Sequence, residues 1–231
     1  MLSRRSDDLR AQRAAPFVLA AAIACGSIGL VAAANQDPEK PPATQSVQAS
    51  VGIVSGKVTA ENARSLPEMV IYLEPADPNR RFPAPATPAV ISQKGAQFSP
   101  SLLVVCVGQT VEFRNDEDRA IEHNVFSRSP TKPFDLGLYR PGVTKTETFD
   151  QPGPVRLYCS IHRHMDGMIY VCPTPYFATV GQDGSFVIRG VPAGQYDVKT
   201  WQSRQRFREQ TLRIEVEPDK EATANFVMSR K

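Results

Sequence analysis

Histidine is the scarcest of the common metal-binding residues in this sequence, since the 231 residues contain only three, at positions 123, 162 and 164. Three imidazoles are too few for a trinuclear copper cluster of the multicopper oxidase kind, but they suffice for one mononuclear metal site. Net charge is also small, at +3, and four arginines lie within the first thirteen residues. Without that leader the charges nearly balance, so a basic nucleic-acid-binding surface is not expected.

The first 34 residues have the pattern of an export signal, with a basic start followed by a stretch without charge over residues 14–34. Ala32 and Ala34 supply the small residues that signal peptidase prefers. The alternative is a retained membrane anchor, because about 20 apolar residues can span a bilayer. Residues 35–50 are rich in Pro, Gln, Ala and Ser and are predicted to be a flexible tether. A periplasmic or other extracytoplasmic location follows from either interpretation.

From residue 51 onward no segment has a convincing helical period, whereas the alternation that is typical of strands recurs. Two runs place alternate residues on one face: Ile121, His123 and Val125, and Val155, Leu157 and Cys159. Their apolar neighbours put His123 and Cys159 on the inward faces of these strands. The predicted class is all-β, with a sandwich as the default architecture.

Two proline clusters, in residues 75–88 and 173–175, divide the body of the chain and are predicted to be linkers. The part between them, residues 89–172, contains all the residues with metal-binding chemistry. Three cysteines remain after Cys25 of the leader is set aside, an odd number for an exported chain. Cys159 has two histidines within five residues and is the natural ligand, which leaves Cys106 and Cys172 as a candidate pair.

The metal-binding constellation combines His123 with the segment Tyr158-Cys159-Ser160-Ile161-His162-Arg163-His164-Met165-Asp166-Gly167. A thiolate, two imidazoles and a thioether form the soft, mixed donor set that suits copper in both oxidation states. Such a closed set moves an electron rather than activating a substrate. The alternatives are a core histidine, a structural zinc site, Met168 in place of Met165, and His164 in place of His162.

Residues 89–172 resemble the cupredoxins, the small blue-copper proteins that include plastocyanin and amicyanin. The resemblance rests on Phe98-Ser99-Pro100, on residues 107–115, on His123-Asn124-Val125 and on Tyr158-Cys159-Ser160-Ile161-His162. The spacing Cys-x2-His-x2-Met is similar to amicyanin's, and it implies the copper ligands His123, Cys159, His162 and Met165. The chain also looks like bacterial methylamine utilisation or plastocyanin-like proteins, which share the stretch Phe134-Asp135-Leu136-Gly137-Leu138-Tyr139.

The same resemblance implies two further features of the copper domain. Asn124 is expected to bond near Ser160 and so tie the first histidine's strand to the ligand loop, the alternative being an ordinary turn asparagine. Cys106 is expected on a strand parallel to the one that carries Cys172, close enough for a disulfide. Two free, buried cysteines are the alternative.

The C-terminal part resembles the carboxypeptidase-regulatory-like, transthyretin-like β-sandwich. It contains Gly184-Ser185-Phe186-Val187-Ile188 and then Gly190-Val191-Pro192-Ala193-Gly194-Gln195-Tyr196-Asp197-Val198. The start of that family's pattern lies instead in residues 51–75, so residues 51–75 and 176–231 are predicted to form one discontinuous sandwich with the cupredoxin domain inserted. In the alternative, tandem order, the first strands belong to the cupredoxin.

The expected function is periplasmic electron transfer with one type 1 copper per chain. The expected partner is a redox protein such as a cytochrome or a periplasmic oxidoreductase, with a possible membrane tether through residues 14–34. His162 is expected to be the electron port, with Arg163 and His164 as a basic edge. A copper-binding or copper-handling protein, or an interaction module without a dedicated redox partner, is the alternative. An enzyme is not expected, since no second metal set or nucleophile–base pair is present.

Overall fold

The structure is a computed structural model that describes residues 50–61 and 65–231. The predicted export signal or anchor over residues 1–34, including Cys25, and the tether up to residue 49 lie outside the described residues. Every regular element in the described chain is a β-strand, which confirms the all-β class. No helix within the described residues is long and apolar enough to cross a membrane.

The strands of the described chain follow one another in short segments joined by turns and bends. They are β1 (Val51–Ala60), β2 (Met69–Pro75), β3 (Ala89–Gln93), β4 (Phe98–Ser99), β5 (Leu102–Cys106), β6 (Gln109–Asn115), β7 (Phe126–Ser129), β8 (Lys132–Asp135), β9 (Thr144–Phe149), β10 (Gly153–Tyr158), β11 (Asp166–Cys172), β12 (Phe177–Thr179), β13 (Ser185–Pro192), β14 (Gly194–Gln202), β15 (Thr211–Val216), β16 (Glu221–Thr223) and β17 (Phe226–Met228).

Strands β3 to β11 build two sheets, with the orders β5-β11-β10-β7-β8 and β4-β3-β6-β9. The alternation in β6 and β10 buries Val111, Phe113, Val155 and Leu157 completely, as expected of strands with one inward face. Apolar side chains from both sheets form a single buried core. Cys159 belongs to that core and directly follows β10.

The remaining strands build two other sheets, in which β1 pairs with β13, β16 and β17, and β2 pairs with β12 and β14. The first two strands of the described chain therefore pair with strands that lie beyond residue 176, and with none of β3 to β11. These sheets enclose a second core, in which Val54, Leu73, Tyr196 and Val198 are 0% exposed.

Strand β11 is buried on both faces from Ile169 to Cys172 and joins the two cores. Ile169 and Val171 pack into the core that contains Cys159, whereas Tyr170 and Cys172 pack into a separate cluster with Trp201 of β14. The Tyr170 and Trp201 rings are stacked, with centroids 4.0 Å apart and planes 16° from parallel. Strand β11 thereby connects the two sandwiches through an apolar junction.

Candidate metal centre

His123 lies in the segment between β6 and β7 and is 0% exposed. The segment is not a regular strand, contrary to the predicted alternation over residues 121–125, because its pairing is limited to an isolated bridge with Tyr139. The two residues exchange backbone hydrogen bonds, with N–O distances of 3.2 and 2.8 Å. These two bonds fix the backbone of His123 deep in the sandwich.

Cys159 and His162 lie at the two ends of one tight turn between β10 and β11. The Met165 amide donates to the His162 carbonyl at 2.9 Å, and the Cys159 amide donates to the Met165 carbonyl at 3.3 Å. The turn therefore closes on itself, and the loop holds Cys159, His162 and Met165 close together. Its short length follows directly from the spacing of these residues in the sequence.

Three donor atoms of the predicted ligands converge on one point. The Cys159 Sγ atom lies 3.9 Å from Nδ1 of His123 and 3.6 Å from Nδ1 of His162, and the two Nδ1 atoms are 3.1 Å apart. A point in their plane that is equidistant from all three lies about 2.1 Å from each atom, similar to the bond lengths of about 2.0–2.3 Å from protein nitrogen and sulfur to zinc. The triangle of donors is therefore the right size for one metal ion.

The two candidate axial methionines lie in different parts of the molecule. Met165 is 1% exposed and belongs to the same buried core as Cys159. Met168 lies on the other face of β11, packed against the junction cluster with Tyr170 and Cys172. Of these two methionines, Met165 thus shares the core of Cys159, and Met168 does not. His164 is exposed and is not part of the donor triangle.

Glu117 is a residue of the site that the sequence did not reveal. One of its carboxylate oxygens lies 2.9 Å from Nε2 of His123, and its side chain is 7% exposed. The backbone amide of Ala96 and then the His123 ring lower the pKa of Glu117 to about 2. An ionised Glu117 accepts a hydrogen bond from Nε2–H, so Nδ1 of His123 is left as the free lone pair that a metal requires.

Glu117 escapes sequence reasoning because it lies in the irregular segment after β6, where no period fixes the direction of a side chain. It stands between Asp116 and Asp118, which are both exposed. Three acidic residues in a row are typical of a solvated turn. The only signal in the sequence was an acid six residues before the histidine, which is common.

The predicted bond between Asn124 and Ser160 is present. The Asn124 side-chain oxygen accepts from the Ser160 amide at 2.7 Å and from its hydroxyl at 2.9 Å. The Asn124 side-chain nitrogen donates to Asp135 at 3.2 Å, and Asn124 is 3% exposed. Asn124 thus joins the segment of His123 to the loop that starts at Cys159.

The stretch Phe134-Asp135-Leu136-Gly137-Leu138-Tyr139 runs alongside the segment of His123. The Leu136 amide donates to the Val125 carbonyl at 3.0 Å, and Tyr139 forms the bridge with His123. Asp135 contacts Asn124 from the same stretch. The hydrogen bonds of this stretch therefore hold the segment of His123 in place.

Cys106 and Cys172 are register partners on the parallel strands β5 and β11, but both are free thiols, which corrects the predicted disulfide. Side chains of paired residues on parallel strands point the same way, so their Cβ atoms are as far apart as the strands, about 4.8 Å. A disulfide needs a Cβ–Cβ distance of about 3.5–4.5 Å. The Cys106 thiol instead donates to the side-chain oxygen of Gln109 at 3.8 Å. Burial raises the pKa of both thiols.

The chemistry of the donors distinguishes between metals of similar size. Structural zinc sites use cysteine, histidine and carboxylates. A buried site with one thiolate, two imidazoles and a neighbouring thioether has the soft donors that copper prefers. The residues therefore fit a copper ion.

No family model matches the chain, and no curated protein matches it in sequence. Among solved structures it is similar to a purple cupredoxin from Nitrosopumilus maritimus, at 27% identity over 36% of this chain and 98% of that one, with a TM-score of 0.33. The copper-containing nitrite reductase of Thermus scotoductus is 28% identical over 42% of this chain and 25% of the enzyme, with a TM-score of 0.36. A mutant of amicyanin in its reduced state is 21% identical over 43% of this chain and 98% of its own, with a TM-score of 0.33.

These neighbours are cupredoxins and one copper enzyme.

Proposed function

We propose that this protein transfers electrons outside the cytoplasm with one type 1 copper ion, held by His123, Cys159, His162 and Met165. The observation that carries the proposal is the triangle of one thiol sulfur and two Nδ1 atoms, with sides of 3.1, 3.6 and 3.9 Å. Copper supplies the redox change between its two oxidation states. The protein supplies donors whose positions are fixed in advance.

The fixed donors explain how an electron passes with little rearrangement. Glu117 orients the His123 ring, and the backbone bridge to Tyr139 holds its main chain. Asn124 ties this segment to the loop of Cys159 through Ser160. Contacts of this kind around a metal site set ligand orientation and tune the reduction potential.

His162 is the proposed electron port. It is partly exposed, whereas His123 is 0% exposed. Its neighbour Ile161 is 52% exposed, so an apolar surface lies beside the ring and allows close docking with little desolvation of charge. Arg163 and His164, both exposed, provide a basic edge for a redox partner such as a cytochrome or a periplasmic oxidoreductase.

The proposal also divides the chain into two domains. Residues 89–172 form the copper domain, inserted into a carboxypeptidase-regulatory-like sandwich of residues 51–75 and 176–231. The pairing of β1 with β13 and of β2 with β14 supports this division. Residues 1–34 are proposed to direct export, with residues 14–34 as a membrane tether if they are retained.

The decisive experiment adds Cu(II) to purified metal-free protein and records the visible spectrum. We expect an intense band from charge transfer between the Cys159 thiolate and copper. The band should vanish in Cys159→Ser and persist in the matched control Met168→Leu, whose side chain packs at the junction. A wild-type protein without the band, or a Cys159→Ser variant that keeps it, would refute the proposal.

A second measurement separates electron transfer from copper handling, the alternative function. Rapid electron exchange with a cytochrome supports the proposal. Ready loss of copper to a chelator, together with slow electron exchange, would instead indicate a copper-handling protein.

A further inference from the structure

The second sandwich carries a loop of unusual composition, residues 203–209 between β14 and β15, which we call the arginine loop. Arg204, Arg206 and Arg208 occupy alternate positions and are all exposed. Phe207, between two of them, is 2% exposed and packs into the core of the sandwich. The loop therefore has an anchored residue, three cations that face solvent and one exposed carboxylate, Glu209.

Hydrogen bonds hold the backbone of the arginine loop around residues 206–208. Gln202, which is 1% exposed, donates to the Phe207 carbonyl at 2.7 Å and accepts from the amides of Arg206 and Phe207 at 3.0 and 3.1 Å. The Arg208 amide donates to the Ser229 carbonyl at 2.9 Å. A cation on a fixed backbone loses less conformational freedom when it binds than one on a mobile loop.

The three arginines have no acidic partner among the described residues. Seven other cations in the described chain form ion pairs with carboxylates: Lys94, Arg114, Lys132, Arg140, Lys199, Arg213 and Lys220. The guanidinium groups of Arg204, Arg206 and Arg208 make no ion pair or side-chain hydrogen bond within the described part of the chain. Their charges are therefore available to an external partner.

The arginine loop borders the junction beside the metal-binding loop. Arg204 and Arg156 line one cleft of ≈ 200 Å³ between the two sandwiches. Asp166 and Gly167, the two residues that follow Met165 in the chain, line the same cleft. A molecule bound to the arginine loop would consequently lie against the end of the ligand loop.

Three carboxylates lie in or beside the arginine loop: Glu209 belongs to it, and Glu68 and Asp166 border these clefts. Glu68 lines a cavity of ≈ 350 Å³ together with Arg204 and Arg206, and Asp166 lines the cleft described above. None of the three forms an ion pair with an arginine of the loop within the described residues. With Arg156, four cations stand against these three carboxylates, so the surface keeps a small excess of positive charge, with clefts beside Arg204 and Arg206.

We propose that the arginine loop is a docking surface for an acidic face of the electron-transfer partner, so that the second sandwich selects the partner of the copper domain. This inference rests on the proposed function. Arginine binds carboxylates through two parallel hydrogen bonds and is enriched at protein interfaces, where lysine is depleted. An anionic membrane attracts lysine and arginine alike and has no side chains to enter a cleft.

The test measures the rate at which a reduced, acidic c-type cytochrome passes an electron to the copper-loaded protein. The rate is measured as ionic strength rises from about 10 mM to about 1 M. Over this range the Debye length falls from about 30 to about 3 Å. The variant carries Arg204→Gln, Arg206→Gln and Arg208→Gln. We expect its rate at low salt to be at least about tenfold below that of the wild type, within the range that electrostatic steering provides. At high salt the two rates should converge.

The matched control removes the same number of charges from the other sheet of the second sandwich, with Lys57→Gln, Arg189→Gln and Lys220→Gln. All three side chains are exposed on or beside β1, β13 and β16. The control should transfer electrons at nearly the wild-type rate at every salt concentration. Both variants should keep the visible spectrum and the reduction potential of the wild type.

Each outcome decides between specific statements. Equal rates in the variant and the control at low salt would overturn the docking inference while leaving the copper function intact. A wild type without a visible band or without any electron exchange would overturn the proposed function itself. If the variant loses binding to vesicles of phosphatidylglycerol and phosphatidylcholine but keeps its cytochrome rate, the surface binds a membrane, and the partner proposed here is wrong.

Discussion

Asn124 provides the sharpest test of how the protein positions its proposed metal ligands. Replacing it with alanine removes three hydrogen bonds, two from Ser160 and one to Asp135. At about 0.5–1.5 kcal/mol for each bond, the loss would be about 1.5–4.5 kcal/mol. Ser160 and Asp135 are exposed and can bond to water instead, which places the expected loss near the lower end.

The effect on copper should exceed the effect on folding. Contacts around metal ligands typically contribute about 10–100-fold to metal affinity, and Asn124 is the side chain that joins the two ligand-bearing segments. We expect Asn124→Ala to weaken copper binding by about tenfold or more, as measured by competition with a chelator. Urea unfolding of the metal-free protein measures the loss in stability separately.

Two control variants make the reasoning refutable. Asp135→Ala removes only the bond from the Asn124 nitrogen and a bond from the Gly137 amide, and so should change copper affinity much less. Asn124→Asp keeps an acceptor for Ser160 but sets a carboxylate beside Asp135, and its affinity should lie between those of the wild type and Asn124→Ala. Copper affinity within twofold of the wild type in Asn124→Ala would show that the hydrogen bonds of Asn124 do not position the ligands.

Three other predictions follow from the geometry. Met165→Leu should keep the visible band and shift the reduction potential in voltammetry, whereas a shift in Met168→Leu would mean that the axial ligand has been misassigned. Glu117→Gln keeps an acceptor for the histidine ring but removes a negative charge that favours Cu(II), so the potential should rise; a fall would contradict this role. Trp201→Ala removes the ring stacked on Tyr170 and should lower the free energy of unfolding by about 3–5 kcal/mol without changing the visible spectrum. Unchanged thermal unfolding would show that the junction adds little stability.

The sequence predicted the parts of the site that depend on local spacing and strand parity. Cys159, His162 and Met165 fall within seven residues, so one turn brings them together whatever the rest of the fold does. The alternation of Val155, Leu157 and Cys159 fixed the inward direction of the thiol, because strand side chains alternate strictly. His123 was placed correctly inward, although its segment is bridged rather than a regular strand.

Features that depend on contacts between distant elements could not be read in the same way. Glu117 contacts His123 because the chain turns back after β6, and no hydrophobic periodicity in the sequence predicts that turn. The disulfide prediction was wrong because register partners on parallel strands keep their side chains parallel and about a strand spacing apart. Neighbouring strands are necessary for a disulfide, but the relative direction of the two side chains decides whether it forms.

Strand β11 shows why the two sandwiches are expected to act as one unit around the metal site. Its sequence from Met168 to Cys172 is a continuous apolar run rather than an alternating one, which is typical of strands covered on both faces. Ile169 and Val171 face the core that contains Cys159, while Tyr170 stacks on the second sandwich. Because the ligand loop runs directly into this strand, its downstream end is fixed from both sides. The second sandwich therefore restrains the loop that carries three of the four proposed ligands, in addition to presenting the arginine loop beside it.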